Sequence, residues 1–386
     1  MIKLRWKDKW IDYESIEWSG THNQCSRQIS FTIPWNPYDK NFEKLDIKLG
    51  DLMYLYDGKT QLFVGTVTAR EKTAEIGTAS YVAMDFMHHL LRSNASYNFK
   101  KTTPEKIAKK VCSDLQIQTT ALASTKANIA KLLFQDACVY DIIVTAYRKA
   151  KAKTGKIYMP VMKGNKVSVI EKGLASGVTL TQGVDITDAS YSDTTDNMVN
   201  LVNIYNEKAK KLGKVETKKD VSSYGVYAQA YTKEKGVDAK KQAKAMMVGV
   251  TKEASVEAIG NIKAISGYSI QISDKATGLS GKFYITSDTH TFQNGVHTMS
   301  LGISWKNESE GGAQSEEDKG KKELTNSAKC YYIESSSVFH SSKNCSACKG
   351  KKTKSSTVSK IKKIKITKGK NKGKRKYKAC AKCWIQ

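Results

Sequence analysis

The stretch Thr277–Trp305, TGLSGKFYITSDTHTFQNGVHTMSLGISW, constrains the fold more than any other part of the chain. Asn294-Gly295 at its centre favours the positive φ angles of a two-residue hairpin turn. With that loop, Gln293 faces Val296, Tyr284 faces Trp305, Thr286 faces Ile303, Asp288 faces Leu301 and His290 faces Met299. Met299, Leu301, Ile303 and Trp305 alternate with Ser300, Gly302 and Ser304, the period of a half-buried strand. The same register brings His290 and His297 diagonally together near Asp288, which reads as a pair on the rim of a sheet.

The rest of the chain continues this β character with helices set into it. Ile2, Leu4 and Trp6 alternate with basic residues, and Ile29, Phe31 and Ile33 alternate up to Pro34. IKLGDLMYLYDGKTQLFVGTV (47–67) predicts two strands around Asp57-Gly58, and residues 81–85 one more. A short helical turn from Phe86 to Leu91 carries the adjacent His88 and His89, which point apart on a helix and so read as structural. Thr103-Pro104 opens a helix with Glu105 in its first turn and Ile107, Val111 and Leu115 on its buried stripe. A second helix begins at Asp141 and ends in lysines, with Gly155 as its cap. Strands 156–162 and 166–171 turn at Gly164-Asn165, residues 186–207 return to strand, and Asp238 caps a third helix over 239–248. Asp185, Asp188, Asp193 and Asp196 resemble calcium ligands by type but lack the glycine and terminal glutamate of that loop, so they read as turn residues. The expected class is α+β with β dominant.

At 386 residues the chain exceeds one ordinary domain. No apolar run approaches the roughly 18 residues of a membrane span, and charges occupy the place where MIKLRWKDKWIDY would need a signal peptide's apolar core. The expectation is a protein without a membrane span, made and folded in a cytoplasm. The net charge of +27 suggests nucleic acid, but residues 341–386 hold 17 Lys/Arg and no Asp or Glu, leaving +10 (27 − 17) for the preceding 340. No HExxH, GxSxG, phosphate loop or dinucleotide fingerprint is present, and six histidines leave little for a hydrolytic site.

Six segments in order carry a family resemblance: TTPEKIAKKVCSDL (102–115), VYDIIVTAYRKAKAKTGKIYM (139–159), DASYSDTTDNMVNLVNIY (188–205), SYGV (223–226), ASVEAIGNI (254–262) and the hairpin 277–301. Through them, residues 1–305 resemble the tail-hub proteins of PBSX-like prophages and contractile phage tails or tail-like bacteriocins. The resemblance implies tandem small β-barrel domains with inserted helices: one barrel in 1–95, an intervening α+β domain in 96–179 and a second barrel in 180–305. It implies a homotrimer, because three chains with two similar barrels each offer a pseudo-sixfold ring. Such a hub joins the sixfold tail tube to a threefold spike or tip, holds the end of the tape measure protein and contacts the baseplate wedge. The location implied is the virion tail baseplate, and no catalytic residues are implied.

NESEGGAQSEEDKGKKE (307–323) is acidic and almost free of apolar residues, so 306–329 reads as a flexible linker. Cys25, Cys112 and Cys138 are scattered and read as buried small apolar residues, whereas the five cysteines from Cys330 onward cluster. Cys345-x-x-Cys348 and Cys380-x-x-Cys383 are knuckles 31 residues apart, and His340 lies five residues before Cys345. The module 330–386 has few aliphatics, so one bound Zn2+ would supply missing folding energy; disulfides and free thiols are the alternatives. Spacing favours Cys345, Cys348, Cys380 and Cys383. The module also resembles terminal domains with the pattern Tyr/Phe-His-x-x-x-x-Cys … Tyr-x-x-Cys-x-x-Cys, matched by Phe339-His340 and Tyr377, and that resemblance implies His340, Cys345, Cys380 and Cys383. Cys330 is the weakest candidate. The lysines suit a solvated surface, anionic cell wall polymers or nucleic acid. Two further functions stay open: a cell-wall-degrading hub enzyme, although the module has no acidic residue after Glu334 to drive a glycosidase, and a zinc-ribbon nucleic-acid-binding protein.

Overall fold

In the computed structural model, Asn294 and Gly295 take φ +52° and +75°, so the predicted turn forms with both residues in the left-handed region. The structure describes residues 1–23, 26–234, 238–308, 322–323, 329–333, 337–341, 345, 353–364, 377–380 and 384–385. Cys25, Cys348, Cys383 and most of the predicted linker lie outside the described residues. The chain forms two units, one of Met1–Leu174, Phe292–Gly295 and Asn307–Gln386, the other of Ala175–Thr291 and Val296–Lys306. No described helix is long and apolar enough to cross a membrane.

The first unit begins with strands β1 (Ile2–Trp6), β2 (Lys9–Ile11), β3 (Ser15–Thr21), β4 (Gln28–Trp35), β5 (Leu52–Asp57), β6 (Thr60–Glu71) and β7 (Gly77–Asp85). They pair in the order β3-β4-β7-β6-β5-β1-β2, all antiparallel. The alternation read from sequence sets the inner face: Leu4, Ile16, Ile29, Phe31, Ile33, Met53 and Leu55 are buried. Gly65 is required by close approach, because a Cβ there would meet the Met84 carbonyl oxygen at 2.2 Å. The predicted barrel does not close: among the described residues, β2 and β3 do not pair. β2 supplies only three residues, and across from it Pro34 has no N–H to donate. A groove of about 290 Å³ lies there instead, lined by Trp10, Ile11, Ile33, Pro34, Phe42 and Leu45 among others.

Where β7 ends, Asp85 is fully buried and accepts hydrogen bonds from Ser26 Oγ (2.9 Å), the Arg27 amide (2.9 Å) and the Met87 amide (3.0 Å). Burial pushes its carboxyl up to about 7, against the downward pull of those donors and of the Arg27 charge. The Arg27 guanidinium lies 4.0 Å from the Trp18 ring centroid.

Next come α1 (Met87–Arg92), β8 (Asn94–Thr102), α2 (Pro104–Asp114), β9 (Thr119–Leu122), β10 (Ile129–Cys138), α3 (Val139–Thr154), β11 (Tyr158–Lys163) and β12 (Lys166–Glu171). Both long helices form where the sequence placed them. Pro104 opens α2, and Gly155 ends α3 at φ +71°. Their apolar stripes meet: Ile107, Val111, Ile142, Ile143 and Ala146 are fully buried with Leu132, Phe134, Met159, Val167 and Val169. Each of these side chains larger than Ala146 contributes about 1.5–3 kcal/mol of burial energy. β8 pairs with β10, and β11-β12-β9 make a small mixed sheet.

The second unit holds β13 (Ala175–Thr181), β14 (Ile186–Thr194), β15 (Leu201–Tyr205), β16 (Lys211–Glu216), α4 (Lys218–Tyr224), β17 (Ala228–Thr232), α5 (Ala239–Ala245), β18 (Thr251–Ile259), β19 (Ser269–Ser273), β20 (Ser280–Gln293) and β21 (Val296–Ser304). Within it the strands run β14-β18-β21-β20-β19-β13, with β13 parallel to β19. Val256, Leu301, Ile303, Phe283, Ile285 and Ile272 fill its core. This second predicted barrel is also open. Its end strands β13 and β14 meet only at the bridge Gln182–Ile186, because the chain reverses at Thr181–Asp185 through bonds from Val184 N and Asp185 N to the Thr181 carbonyl. A separate sheet β16-β15-β17 carries α5, capped by Asp238, whose side chain accepts from Lys241 N.

Candidate metal centre

The described part of residues 322–386 has β22 (Lys322–Glu323), β23 (Lys329–Tyr332), β24 (Val338–His340), β25 (Lys354–Thr357), α6 (Val358–Lys363), β26 (Lys378–Ala379) and β27 (Trp384–Ile385). Four of them order as β25-β23-β24-β26. Cys330, Phe339, Val358, Ile361 and Tyr377 form a small core, with Tyr332 edge-on to Tyr377 at 5.1 Å between centroids. Ile361 is buried and Ile364 is exposed.

That sheet sets the site. β24 runs parallel to β26, pairing Phe339 with Ala379, and the Cys380 amide donates to the Phe339 carbonyl at 2.9 Å. His340 and Cys380 are thus carried to the same end of adjacent strands. Cys345 completes a group in which His340, Cys345 and Cys380 offer donor atoms all within 4.8 Å of one another, and all three are buried. A tetrahedral zinc, with bonds of about 2.3 Å to sulfur and about 2.0 Å to nitrogen, sets its donors about 3.3–3.8 Å apart. Closing the group therefore takes at most about 1.5 Å. Burial lowers the His340 pKa, which favours the neutral imidazole that a metal binds. The donor set fits a thiophilic ion.

Cys330 stands apart from this group. It sits on β23 opposite Ser356, fully buried, and burial pushes its thiol up to about 11. Among the described residues, Cys112, Cys138, Cys330, Cys345 and Cys380 form no disulfide.

The other histidine pair also comes together. His290 Nδ1 lies 3.1 Å from His297 Nε2, and His290 Nε2 lies 3.2 Å from the Ala264 carbonyl. Since that carbonyl can only accept, His290 carries its proton on Nε2 and accepts from His297. His290 and Asp288 are buried and His297 is half-buried, and Asp288 accepts from the Ser266 amide. Gly260 leaves room for it, because a Cβ there would meet the His297 ring at 2.1 Å. Of the four aspartates that resemble calcium ligands by type, Asp185 accepts from the Thr181 amide and Asp193 from the Tyr191 hydroxyl.

Sequence reasoning did not single out Asn200, which is buried and bonds across to the SYGV segment: its Nδ2 donates to the Gly225 carbonyl at 2.7 Å and its Oδ1 accepts from the Tyr227 amide at 2.9 Å. The available signal was an asparagine in DNMVNLVNIY followed 25 residues later by a glycine in SYGV.

Comparison with known proteins bears on the larger part of the chain. The Bacillus subtilis (strain 168) phage-like element PBSX protein XkdQ is 28% identical over 313 residues, covering 78% of this chain and 95% of XkdQ. B. subtilis YqbQ is also 28% identical over 313 residues, covering 78% and 94%. The fold is shared with the 43 kDa tail protein of prophage MuSo2 from Shewanella oneidensis (TM-score 0.59, 14% identity, 78% of this chain and 98% of that one). It is shared too with a tail protein of Neisseria meningitidis MC58 (TM-score 0.55, 15% identity, 78% and 95%). The YQBQ-like family model matches residues 16–304, three quarters of the chain, and the protein belongs to that family.

Proposed function

We propose that this chain is a structural component of a phage tail or tail-like particle, and that it serves as the hub of the baseplate. The observation that carries this reading is the 28% identity, across 78% of the chain, to a protein of a phage-like element, beside the family match over residues 16–304. The fold common to two tail proteins supports it.

In the finer form of the proposal, three copies join the sixfold tube to a threefold spike or tip, around the end of the tape measure protein and against the wedge. Each chain divides into two compact units, so three chains would present six, the number a sixfold tube requires. The role is non-enzymatic. The C-terminal module holds one Zn2+ through His340, Cys345 and Cys380. Cys383 or Cys348, both outside the described residues, supplies the fourth ligand. The ion would contribute folding energy to a module with a small core, and the lysines around it would face anionic cell wall polymers.

In-frame removal of the gene from an inducible host tests this directly. Electron microscopy of the released particles should show tubes without an assembled tip. Infective particles of normal shape lacking the chain would overturn the reading, and a cleared band in zymography on host cell walls would overturn its non-enzymatic part.

A further inference from the structure

Val221–Thr232, VSSYGVYAQAYT, contains no charged residue in a chain that is 26% charged. The structure leaves nine consecutive residues of it exposed, Ser222 to Ala230. They include Tyr224 at 46%, Val226 at 61% and Tyr227 at 37% exposure. Exposed apolar side chains grouped in an uncharged run are a feature of binding surfaces.

The run is also held in shape. Besides the two side-chain bonds from Asn200, the Asn200 and Leu201 amides both donate to the Tyr227 carbonyl, at 3.1 and 3.2 Å. Gly225, at φ +81°, closes α4 by donating to the Val221 carbonyl at 3.1 Å and turns the chain into β17. A partner would therefore meet a surface whose ordering cost has already been met by folding.

β17 ends its sheet, with β15 as its only neighbour among the described residues. Leu201 N donates to the Tyr227 carbonyl and Lys233 N to the Tyr205 carbonyl. That parity turns the N–H and C=O groups of Ala228, Ala230 and Thr232 away from β15, along an edge flanked by small side chains. Charge then selects the partner. Residues 207–244 hold eleven lysines against five Asp/Glu, all of them outside 221–232. Two copies of this chain laid strip to strip would bring two lysine-rich margins together.

We infer that the free edge of β17, with Tyr224, Val226 and Tyr227, is a docking site for an extended segment of another polypeptide. That segment has small or apolar residues at its centre and acidic residues on both flanks, and it adds to the sheet as a further strand. The inference stands independently of the tail reading.

The test uses the full-length chain and a fluorescent synthetic peptide with an alternating Thr/Val core flanked by glutamates. Saturable binding is expected in fluorescence anisotropy, weakened at least tenfold when the core amides are N-methylated or when the glutamates become lysines. Ala230→Pro, which removes one edge N–H, and Val226→Asp, which changes only an exposed side chain, should each weaken binding at least tenfold. Equal binding of the glutamate and lysine peptides, or of the N-methylated one, would overturn the proposal. So would self-association of the chain that Val226→Asp abolishes while the acidic peptide fails to bind, since a second copy would then be the occupant.

Discussion

Asp85 gives a pH dependence of stability that can be worked through. Its carboxyl is raised from 3.8 in an unfolded chain to about 7 in the fold, because burial outweighs the donors from Arg27, Ser26 and Met87. A carboxyl with a raised native pKa favours the fold while protonated. That contribution is complete below about pH 4 and is lost as pH rises to about 7. At 1.36 kcal/mol per pH unit, the loss over the whole window is on the order of 4 kcal/mol, and about 3 kcal/mol of it falls between pH 5 and pH 8. His22 acts in the opposite direction. Burial and the Lys172 ammonium 2.6 Å away lower its pKa to about 4, so its charging destabilises the fold as pH falls below 6.5. Comparing the native chain with Asp85→Asn at each pH cancels the His22 effect. Urea unfolding followed by tryptophan fluorescence, with Trp18 stacked on Arg27, is the assay. The amide presents an N–H2 to one of the three donors, so the variant is less stable at pH 5 by about 1–3 kcal/mol from the unsatisfied group plus whatever the protonated acid gained. By pH 8 the difference should shrink or reverse, moving by about 3 kcal/mol. An unchanged difference between pH 5 and pH 8 would refute the reasoning.

Other substitutions test close approaches and the metal. Gly65→Ala drives a methyl into the Met84 carbonyl and should cost about 3 kcal/mol in urea unfolding. Gly260→Ala displaces His297 from His290 and should cost about 2 kcal/mol, with the shift visible in the imidazole NMR signals. Asn200→Ala leaves the Gly225 carbonyl and Tyr227 amide without their side-chain partner. It should cost about 1–3 kcal/mol and raise hydrogen exchange across 222–230 before any global change. Purified protein should carry about one zinc per chain by elemental analysis, as the handful of donors at His340, Cys345 and Cys380 can hold one ion. Cys380→Ser should lose most of it while the rest of the chain stays folded, and a full complement of zinc in that variant would argue against the site.

Much of the fold was legible because local chemistry decided it. Asn294-Gly295 could serve few structures other than a tight turn, and Pro104 and Gly155 bracket helices whose stripes bury together. The barrels were not legible. Closure depends on whether distant edges meet, and it fails where β2 is too short, where Pro34 lacks an N–H, and where β13 and β14 part after one bridge. His290 likewise alternates correctly in its strand, yet its burial comes from residues 260–266, which no pattern in the hairpin announces. In the module, spacing favoured one ligand set and the resemblance implied another. The parallel pairing of β24 with β26 is what places His340 beside Cys380, and such pairing between residues about 40 apart leaves no local trace.

The central claim is that three copies of this chain form the hub between tail tube and tip. Cryo-electron microscopy of intact tail tips, reconstructed with threefold symmetry, tests it most directly. The account predicts three copies in a ring beneath a sixfold tube, each contributing both of its compact units. Six copies per ring, or a tip built without the chain, would contradict it.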